Sequence, residues 1–450
     1  MAGKRVTVVG LARSGAAACR LLVAAGATVT ASDRSQAEAL TVDLESLRAL
    51  GVRLETGVHR PETILGADLV VVSPGVDVRM PLLAQARTQG IPILSEVELA
   101  YRACQARFLG ITGTNGKSTT TTLVGLMLER AGIPVIVAGN IGTALCDVVP
   151  GLGSDRWVVA ELSSFQLETI ETFRAEVACL LNITQNHLDR YVGLSDYVDA
   201  KARLFLNQEP GDWAVLNADD PLVLEAAASA RARPLLFSRC RPVEEGAFLE
   251  GDRLLLRRAG ETREVCRVGD IRIRGVHNLE NALAATAAAT LAGGSCEAAK
   301  AVLAEFPGLP HRLERVAVLG GVQFVNDSKG TSVGAVVRSL ESFPGPVILI
   351  AGGRDKGTDF SPLRSVVEGR VKALVLIGEA REKIAKALAG AAPMHAADSM
   401  EEAVRRARAL AAPGDVVLLS PACASFDMFR DFEDRGRAFT AAVRHPTGGR

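Results

Sequence analysis

The sequence predicts an α/β chain of three domains: a Rossmann-like unit at each end and, between them, a parallel sheet built on a P-loop ATPase-like core. Three observations predict it. Apolar, β-branched strands alternate with helical stretches along nearly the whole chain. Aromatic residues make up only 4% while Ala, Val, Leu and Gly abound, as in parallel sheets buried under helices. Glycine-rich turns follow several strands, where open α/β sheets bind ligands.

A chain of 450 residues is too long for one core. Lys+Arg and Asp+Glu balance at 51 each, so neither a nucleic-acid surface nor an anionic membrane surface is expected. Anion binding must then be local. The eight cysteines show no metal-type spacing and read as buried apolar residues in a reducing compartment. With no signal peptide and no apolar run of membrane-spanning length, a cytoplasmic protein without a membrane span is expected.

The N-terminal unit, residues 1–95, opens with the strand Lys4–Val9, the turn Gly10-Leu-Ala-Arg-Ser-Gly15, a helix, and the strand Ala27–Ser32 ending at Asp33. This is a βαβ unit with a relaxed dinucleotide-type turn. Strands at Asp68–Val72, closed by Ser73-Pro74-Gly75, and at Ile91–Leu94 complete it. The central unit, 96–308, carries strands at Arg107–Thr112, Val135–Ala138, Trp157–Glu161, Val177–Ile183 and Trp213–Asn217, and an Ala-rich helix at Asn278–Leu291. Residues 234–273 read as short β-like pieces of a small antiparallel flap. The C-terminal unit, 309–450, repeats the pattern with strands at Arg315–Leu319, Val347–Ala351, Ala373–Ile377 and Asp415–Leu419. Phe306-Pro-Gly-Leu-Pro310 separates the last two units, because its prolines and glycine stop both flanking elements.

The strongest chemical signal is Phe108-Leu-Gly-Ile-Thr-Gly-Thr-Asn-Gly-Lys-Ser-Thr-Thr120. A strand, a glycine-rich loop and a helix beginning at Lys117-Ser118 place backbone N–H groups around an anion at a helix N-terminus. Lys117 would reach the β/γ-phosphates and the Ser118 hydroxyl would hold Mg²⁺, so a nucleoside triphosphate is expected. Glu161 ends a strand beside this loop, a natural place for a Mg²⁺ ligand. His187 follows the next strand, where spacing alone leaves open a structural histidine or a ligand. Lys201 falls in a helical pattern, Tyr197–Phe205, and by spacing reads as a surface lysine. Three polar loops, Asn326–Thr331, Gly352–Gly357 and Ser420–Ser425, follow strands of the third unit and predict one rim.

Together these residues resemble the Mur ligases, ATP-dependent amide-forming ligases of peptidoglycan precursor synthesis. Thr112–Thr119, Asn140-Ile-Gly142, Glu161-Leu-Ser-Ser-Phe-Gln166, Asn182–Tyr191, His277-Asn278 with Asn281, His311-Arg312 and Asn326–Lys329 stand in family order over essentially the whole chain. Ser73-Pro74-Gly75 and Ser420–Asp427 look like the branch that adds D-glutamate. The resemblance implies a monomer acting on UDP-N-acetylmuramoyl-L-alanine and D-glutamate through an acyl phosphate and a tetrahedral intermediate, with ATP and two Mg²⁺ ions.

It implies roles residue by residue. Gly113, Thr114, Asn115, Gly116, Lys117, Ser118 and Thr119 cradle the phosphates, with Asn281 at adenine and Arg312 and Asp327 near the rest of the nucleotide. Ser118, Glu161 and His187 serve the metal ions. Lys201 matches a lysine that family members carry as a carbamate, a further anion near the metal. Ser14, Arg34, Ser73, Pro74 and Gly75 hold UDP, while Asn140 and His187 face the muramoyl-alanine end. Lys329, Thr331, Lys356, Ser425 and Phe432 hold D-glutamate. Lys117, Glu161, His187, Lys201 and Lys329 form the implied catalytic set. Asn186 stands where the family often has Asp, Arg354-Asp355 alters the usual loop, and Ala12 replaces a glycine at the UDP end. Two rivals explain less. A nicotinamide dehydrogenase leaves the P-loop and third unit unused, and a plain NTPase needs no acceptor site.

Overall fold

The structure is a computed structural model, described here for residues 1–184, 190–355 and 357–445. It has three α/β sheets, as the sequence predicts. The chain forms two compact units: residues 1–271 with 277–306, and residues 272–276 with 307–450.

The first sheet holds five parallel strands in the order β3-β2-β1-β4-β5. They are β1 Arg5–Val9, β2 Thr28–Asp33, β3 Arg53–Thr56, β4 Leu69–Val72 and β5 Ile93–Ser95. The order reverses between β1 and β4, so a crevice opens at their C-terminal ends, where the Gly10 turn and Ser73 lie. All four residues of β4 are buried, as expected for a strand covered by helices on both faces.

The second sheet has nine strands in the order β14-β13-β12-β11-β10-β9-β6-β8-β7. They are β6 Arg107–Thr112, β7 Val135–Gly139, β8 Trp157–Glu161, β9 Val177–Leu180, β10 Trp213–Asn217, β11 Arg233–Ser238, β12 Gly246–Glu250, β13 Arg253–Arg258 and β14 Glu261–Arg267. Two expectations change here. β9 stops at Leu180 rather than Ile183, because the Ile183 N–H donates to the Asp220 carboxylate (2.9 Å) and Asn182 turns to the phosphate loop. The expected flap is no separate piece: β12 pairs in parallel with β11, and β12-β13-β14 continue the main sheet as an antiparallel meander.

These two sheets share one core running from Val6 to Ala232. Polar contacts lock them as well. The Arg20 guanidinium meets Asp147 at 2.8 Å, and the Glu96 carboxylate accepts from the Leu145 N–H at 3.1 Å. Glu98, fully buried, accepts from the N–H groups of Glu171, Thr172 and Phe173 (2.8–3.0 Å) and from Arg102 at 2.7 Å. Burial alone would raise its pKa, but the Thr172 hydroxyl and these N–H groups together hold it below the usual glutamate value.

The third sheet, in the second unit, has the order β15-β16-β20-β17-β18-β19. The strands are β15 Glu314–Leu319, β16 Val322–Asn326, β17 Val347–Gly352, β18 Val371–Ile377, β19 Met394–Ala396 and β20 Val416–Leu419, parallel except for the β15–β16 hairpin. Because β16, β20 and β17 are neighbours running the same way, the three polar loops that follow them do share one edge. Residues 272–276 cluster with this unit rather than with the central one; buried Ile273 lies beside Gly308.

All eight cysteines are free. Cys240 is exposed, contrary to the expectation of burial, since it sits in the turn after β11 with its N–H held by Asp219. No helix among the described residues is long and apolar enough to cross a membrane.

Glu98→Ala removes the acceptor of three N–H groups, the Phe173 one buried, and leaves Arg102 with Glu171 alone. It is expected to destabilise the first unit by about 3 kcal/mol, read as a lower urea midpoint. The wild-type contribution of Glu98 should fade as pH falls below the ordinary glutamate pKa of 4.5, since its folded pKa is depressed.

Candidate active site

The phosphate loop sits between β6 and the helix Lys117–Arg130. Gly116 caps this helix in the left-handed conformation at φ 82°, and a Cβ there would lie 2.2 Å from the Asn281 Oδ1. Glycine is thus required twice over, for conformation and for close approach. The loop is held open by side chains of the segment after β9. The Asn182 Oδ1 accepts from the Asn115 N–H (2.9 Å), and its Nδ2 donates to the Asn115 carbonyl (3.2 Å). The Thr114 hydroxyl accepts from the Thr184 N–H (3.0 Å). Thr120, fully buried, donates to Asn281 at 3.3 Å, which ties the helix Val276–Leu291 to the loop.

Two lysines converge behind this loop. The Lys117 Nζ curls back to donate to the carbonyls of Gly113 (2.9 Å) and Thr114 (3.0 Å). The Lys201 Nζ donates to the same Gly113 carbonyl at 3.0 Å, and lies 3.4 Å from the Thr112 hydroxyl and 4.6 Å from the Tyr197 ring centroid. Lys201 is 1% exposed, so its spacing-based reading as a surface lysine is wrong. The helix Leu194–Ala202 packs that side inward, against the phosphate loop. Burial, reinforced by the charge of Lys117, pushes the Lys201 pKa well below the ordinary lysine value.

Glu161 is placed by register. In the sheet it pairs with Ile111 of β6 on one side and Gly139 of β7 on the other, so it ends beside the loop. It is 2% exposed. Its Oε1 accepts from the Asn140 Nδ2 at 2.7 Å, while its Oε2 is buried with no hydrogen-bond partner among the described residues. A carboxylate oxygen left in that state is costly, and a divalent cation held there would satisfy it. The residues therefore fit Mg²⁺, with Glu161 and buried Ser118 as its protein ligands. Among the described residues no three His, Cys, Asp or Glu side chains gather as a metal group.

At the first sheet's crevice the Ser73 hydroxyl donates to the Gly10 carbonyl at 2.7 Å. A Cβ on Gly15 would lie 1.9 Å from that same oxygen. Asp33 accepts from the N–H groups of Leu11 (2.6 Å) and Ser35 (2.7 Å). Its carboxylate is committed to shaping the turn, which weakens the dehydrogenase reading. Ser14 is half-buried there and Arg34 exposed.

Two arginines that sequence reasoning passed over join this crevice to the rest of the first unit. Arg13 donates to the carbonyls of Gly139, Asn140 and Gly142, so the turn beside Ser14 grips the loop that aims Asn140 at Glu161. Arg190 donates to the Pro74 carbonyl (3.2 Å) and pairs with Glu168 (2.6 Å), which also accepts from the Tyr191 hydroxyl (2.7 Å). The only signals in the sequence were their places inside the Gly10–Gly15 turn and the Asn182–Tyr191 motif. Asn186 and His187 lie outside the described residues.

In the second unit the Lys329 Nζ sits 3.6 Å from the Phe432 ring centroid. Ser425 is buried and Thr331 half-buried on the neighbouring loops. Asp327 is buried and accepts from the hydroxyls of Ser339 and Ser420 at 2.7 Å each, and burial pushes its pKa up to about 6. Arg312 lies between His311 and Leu313, both at positive φ. Asp355 pairs with Lys383 at 2.8 Å; Lys356 lies outside the described residues.

Comparison with known proteins matches three family models: a Mur ligase MurD-like N-terminal domain over residues 4–95, a Mur ligase middle domain over 111–289, and a Mur ligase glutamate ligase domain over 311–423. The chain is 48% identical to a UDP-N-acetylmuramoylalanine–D-glutamate ligase of Acidobacterium capsulatum, covering 98% of this chain and 96% of that protein. It is also 48% identical to one of Geotalea uraniireducens, covering 98% and 97%. Among solved structures, a UDP-N-acetylmuramate–alanine ligase from Thermotoga maritima superposes with a TM-score of 0.61 at 19% identity, covering 98% of this chain and 99% of that one. A pseudomurein peptide ligase from Methanothermus fervidus does so with 0.60 at 18%, over the same shares. The solved structures speak for the fold.

Because the folded state disfavours protonated Lys201, the unfolded chain binds more protons there. That contribution to stability therefore rises with pH up to the ordinary lysine value of 10.5. In bicarbonate-free buffer, Lys201→Met is expected to raise the melting temperature at neutral pH and to flatten its rise between neutral and alkaline pH.

Proposed function

The chain belongs to the Mur ligase family, and we propose that it uses ATP to join D-glutamate to UDP-N-acetylmuramoyl-L-alanine, as a cytoplasmic monomer in peptidoglycan precursor synthesis. The observation that carries this reading is the meeting of phosphate loop, buried carboxylate and buried lysine at one sheet edge. It occurs in a chain that matches D-glutamate ligases nearly end to end.

The chemistry must bring a carboxylate oxygen to the γ-phosphorus of ATP, two anions that repel. The N–H groups of residues 113–119 and the dipole of the helix Lys117–Arg130 favour the phosphates. Lys117 exchanges its two loop carbonyls for the β/γ-phosphates. When bound, Mg²⁺ neutralises charge on the transferring group. Glu161 and Ser118 hold one ion and His187 belongs with a second. The substrate carboxylate takes the γ-phosphoryl group, and ADP leaves. The D-glutamate amine then attacks the acyl carbon, the tetrahedral intermediate loses phosphate, and the nitrogen loses a proton to give the amide.

Ser14, Arg34, Ser73, Pro74 and Gly75 line the UDP end in this reading, with Asn140 toward the reacting carboxylate. Asn281, Arg312 and Asp327 serve the nucleoside. Lys329, Thr331, Lys356, Ser425 and Phe432 receive D-glutamate, the lysines matching its carboxylates. Lys201 acts as a carbamate. Burial favours its neutral amine, whose lone pair can bond to the carbon of CO₂ with loss of a proton. The resulting anion offsets the positive charge beside Lys117.

ADP release is expected only when ATP, Mg²⁺, UDP-N-acetylmuramoyl-L-alanine and D-glutamate are all present. L-glutamate, L-lysine or no amino acid should give none, and release without any acceptor would mean a plain NTPase. Lys117→Ala should lose at least about 100-fold in kcat, and near-normal turnover in that variant would contradict the phosphate assignment. Lys201→Ala should be inactive and regain partial turnover with added acetate; a fully active variant would dismiss the carbamate.

A further inference from the structure

Arg435 is the largest fully buried side chain among the described residues. It lies one turn into the helix Phe432–Arg444, on the same face as Phe432. Its Nε donates to the Ser328 hydroxyl (2.9 Å) and its Nη2 to the Ser328 carbonyl (2.9 Å). Its Nη1 donates to the carbonyls of Cys423 and Ala424, both at 3.1 Å. Ser328 in turn donates its hydroxyl to the Phe432 carbonyl at 2.8 Å. The third loop of the rim closes on the same point. The Arg354 N–H donates to the Ala424 carbonyl at 2.9 Å, and a Cβ on Gly353 would lie 3.1 Å from the Arg435 Nη1.

Arg435 is held by neutral carbonyl and hydroxyl oxygens, with the charges of Asp427 and Asp327 acting on it more weakly than burial does. Burial lowers its pKa to about 10, still charged at neutral pH. A buried cation hydrogen-bonded only to neutral oxygens is expensive, and simple loop closure could be had from neutral side chains. What the guanidinium alone offers is a rigid planar fork that reaches two separate loops at once. The residues it fixes stand directly beside Lys329 on one loop and Ser425 on the other, with Phe432 on its own helix.

We propose that Arg435 is the positioning residue of the amino-acid site: it holds the loops after β16 and β20 in register, so that Lys329, Ser425 and Phe432 face one bound dicarboxylate. This rests on the assignment of those loops to D-glutamate. Arg435→Lys keeps the charge and loses the fork. In the full-length enzyme it should raise KM for D-glutamate about tenfold while KM for ATP and for the UDP-sugar stay within about twofold. Should Arg435→Lys not fold, as judged by circular dichroism and melting, Ser328→Ala removes one of the same bonds and should raise KM for D-glutamate about threefold. Ser425→Ala tests the underlying assignment. An unchanged D-glutamate KM in folded Arg435→Lys and Ser328→Ala, with a raised one in Ser425→Ala, overturns the role of Arg435 alone. An unchanged KM in all three overturns the assignment and the inference together. A parallel rise for all three substrates makes Arg435 a folding residue only and also overturns it.

Discussion

Lys117 and Lys201 donate to one carbonyl oxygen, that of Gly113 in the phosphate loop. Two lysine side chains so placed, one of them fully buried, form an arrangement that an anion beside the loop would complete. Around it stands Glu161, whose second oxygen has no partner among the described residues. A phosphate chain with its cation would meet both the lysines and that oxygen at once. The remaining features of the first unit hold these charges in place, because their mutual repulsion and desolvation would otherwise let water or rotation relax them.

The first unit meets that demand by coupling two sheets. Parallel topology brings the ends of β6, β7 and β8 to one edge, so that register alone sets Glu161 beside the loop. The aim of its carboxylate depends on Asn140, and the loop bearing Asn140 is gripped by Arg13 from the N-terminal sheet. Arg190 makes a second tie, from the segment after β9 to the Ser73–Gly75 turn. A ligand seated at the first sheet's switch point would rest on backbone that also orients the carboxylate. That connection is mechanical as well as spatial, since the two sheets share a continuous core.

The second unit solves a similar problem with one side chain. Its three loops come from adjacent parallel strands, which guarantees a common edge without fixing the loops relative to each other. Arg435 adds that constraint through four hydrogen bonds to backbone and hydroxyl groups. Asp327 adds another by accepting from Ser339 and Ser420. Loops built this way present side chains such as Lys329 and Ser425 with little conformational freedom left to lose on binding.

The sequence by itself determined the phosphate loop, the strand-and-turn order and the edge where the site forms. Each of these is encoded by local chemistry: glycines for positive φ, β-branched runs for buried strands, and Lys-Ser at a helix start. Even the turn before Lys117 and Ser118 was legible, because it depends on backbone shape within a dozen residues. Only the tertiary structure decided which charges are desolvated. Lys201 reads as a surface lysine in its own helix and is buried because β6 and the phosphate loop pack over it. Arg435 sits in a helix rich in charge and is enclosed by loops more than 100 residues away in one direction and only 11 and 12 in the other. The partnerless oxygen of Glu161 likewise depends on what surrounds it rather than on its neighbours in sequence. Burial is a sum over non-local contacts, and no local pattern carries that sum.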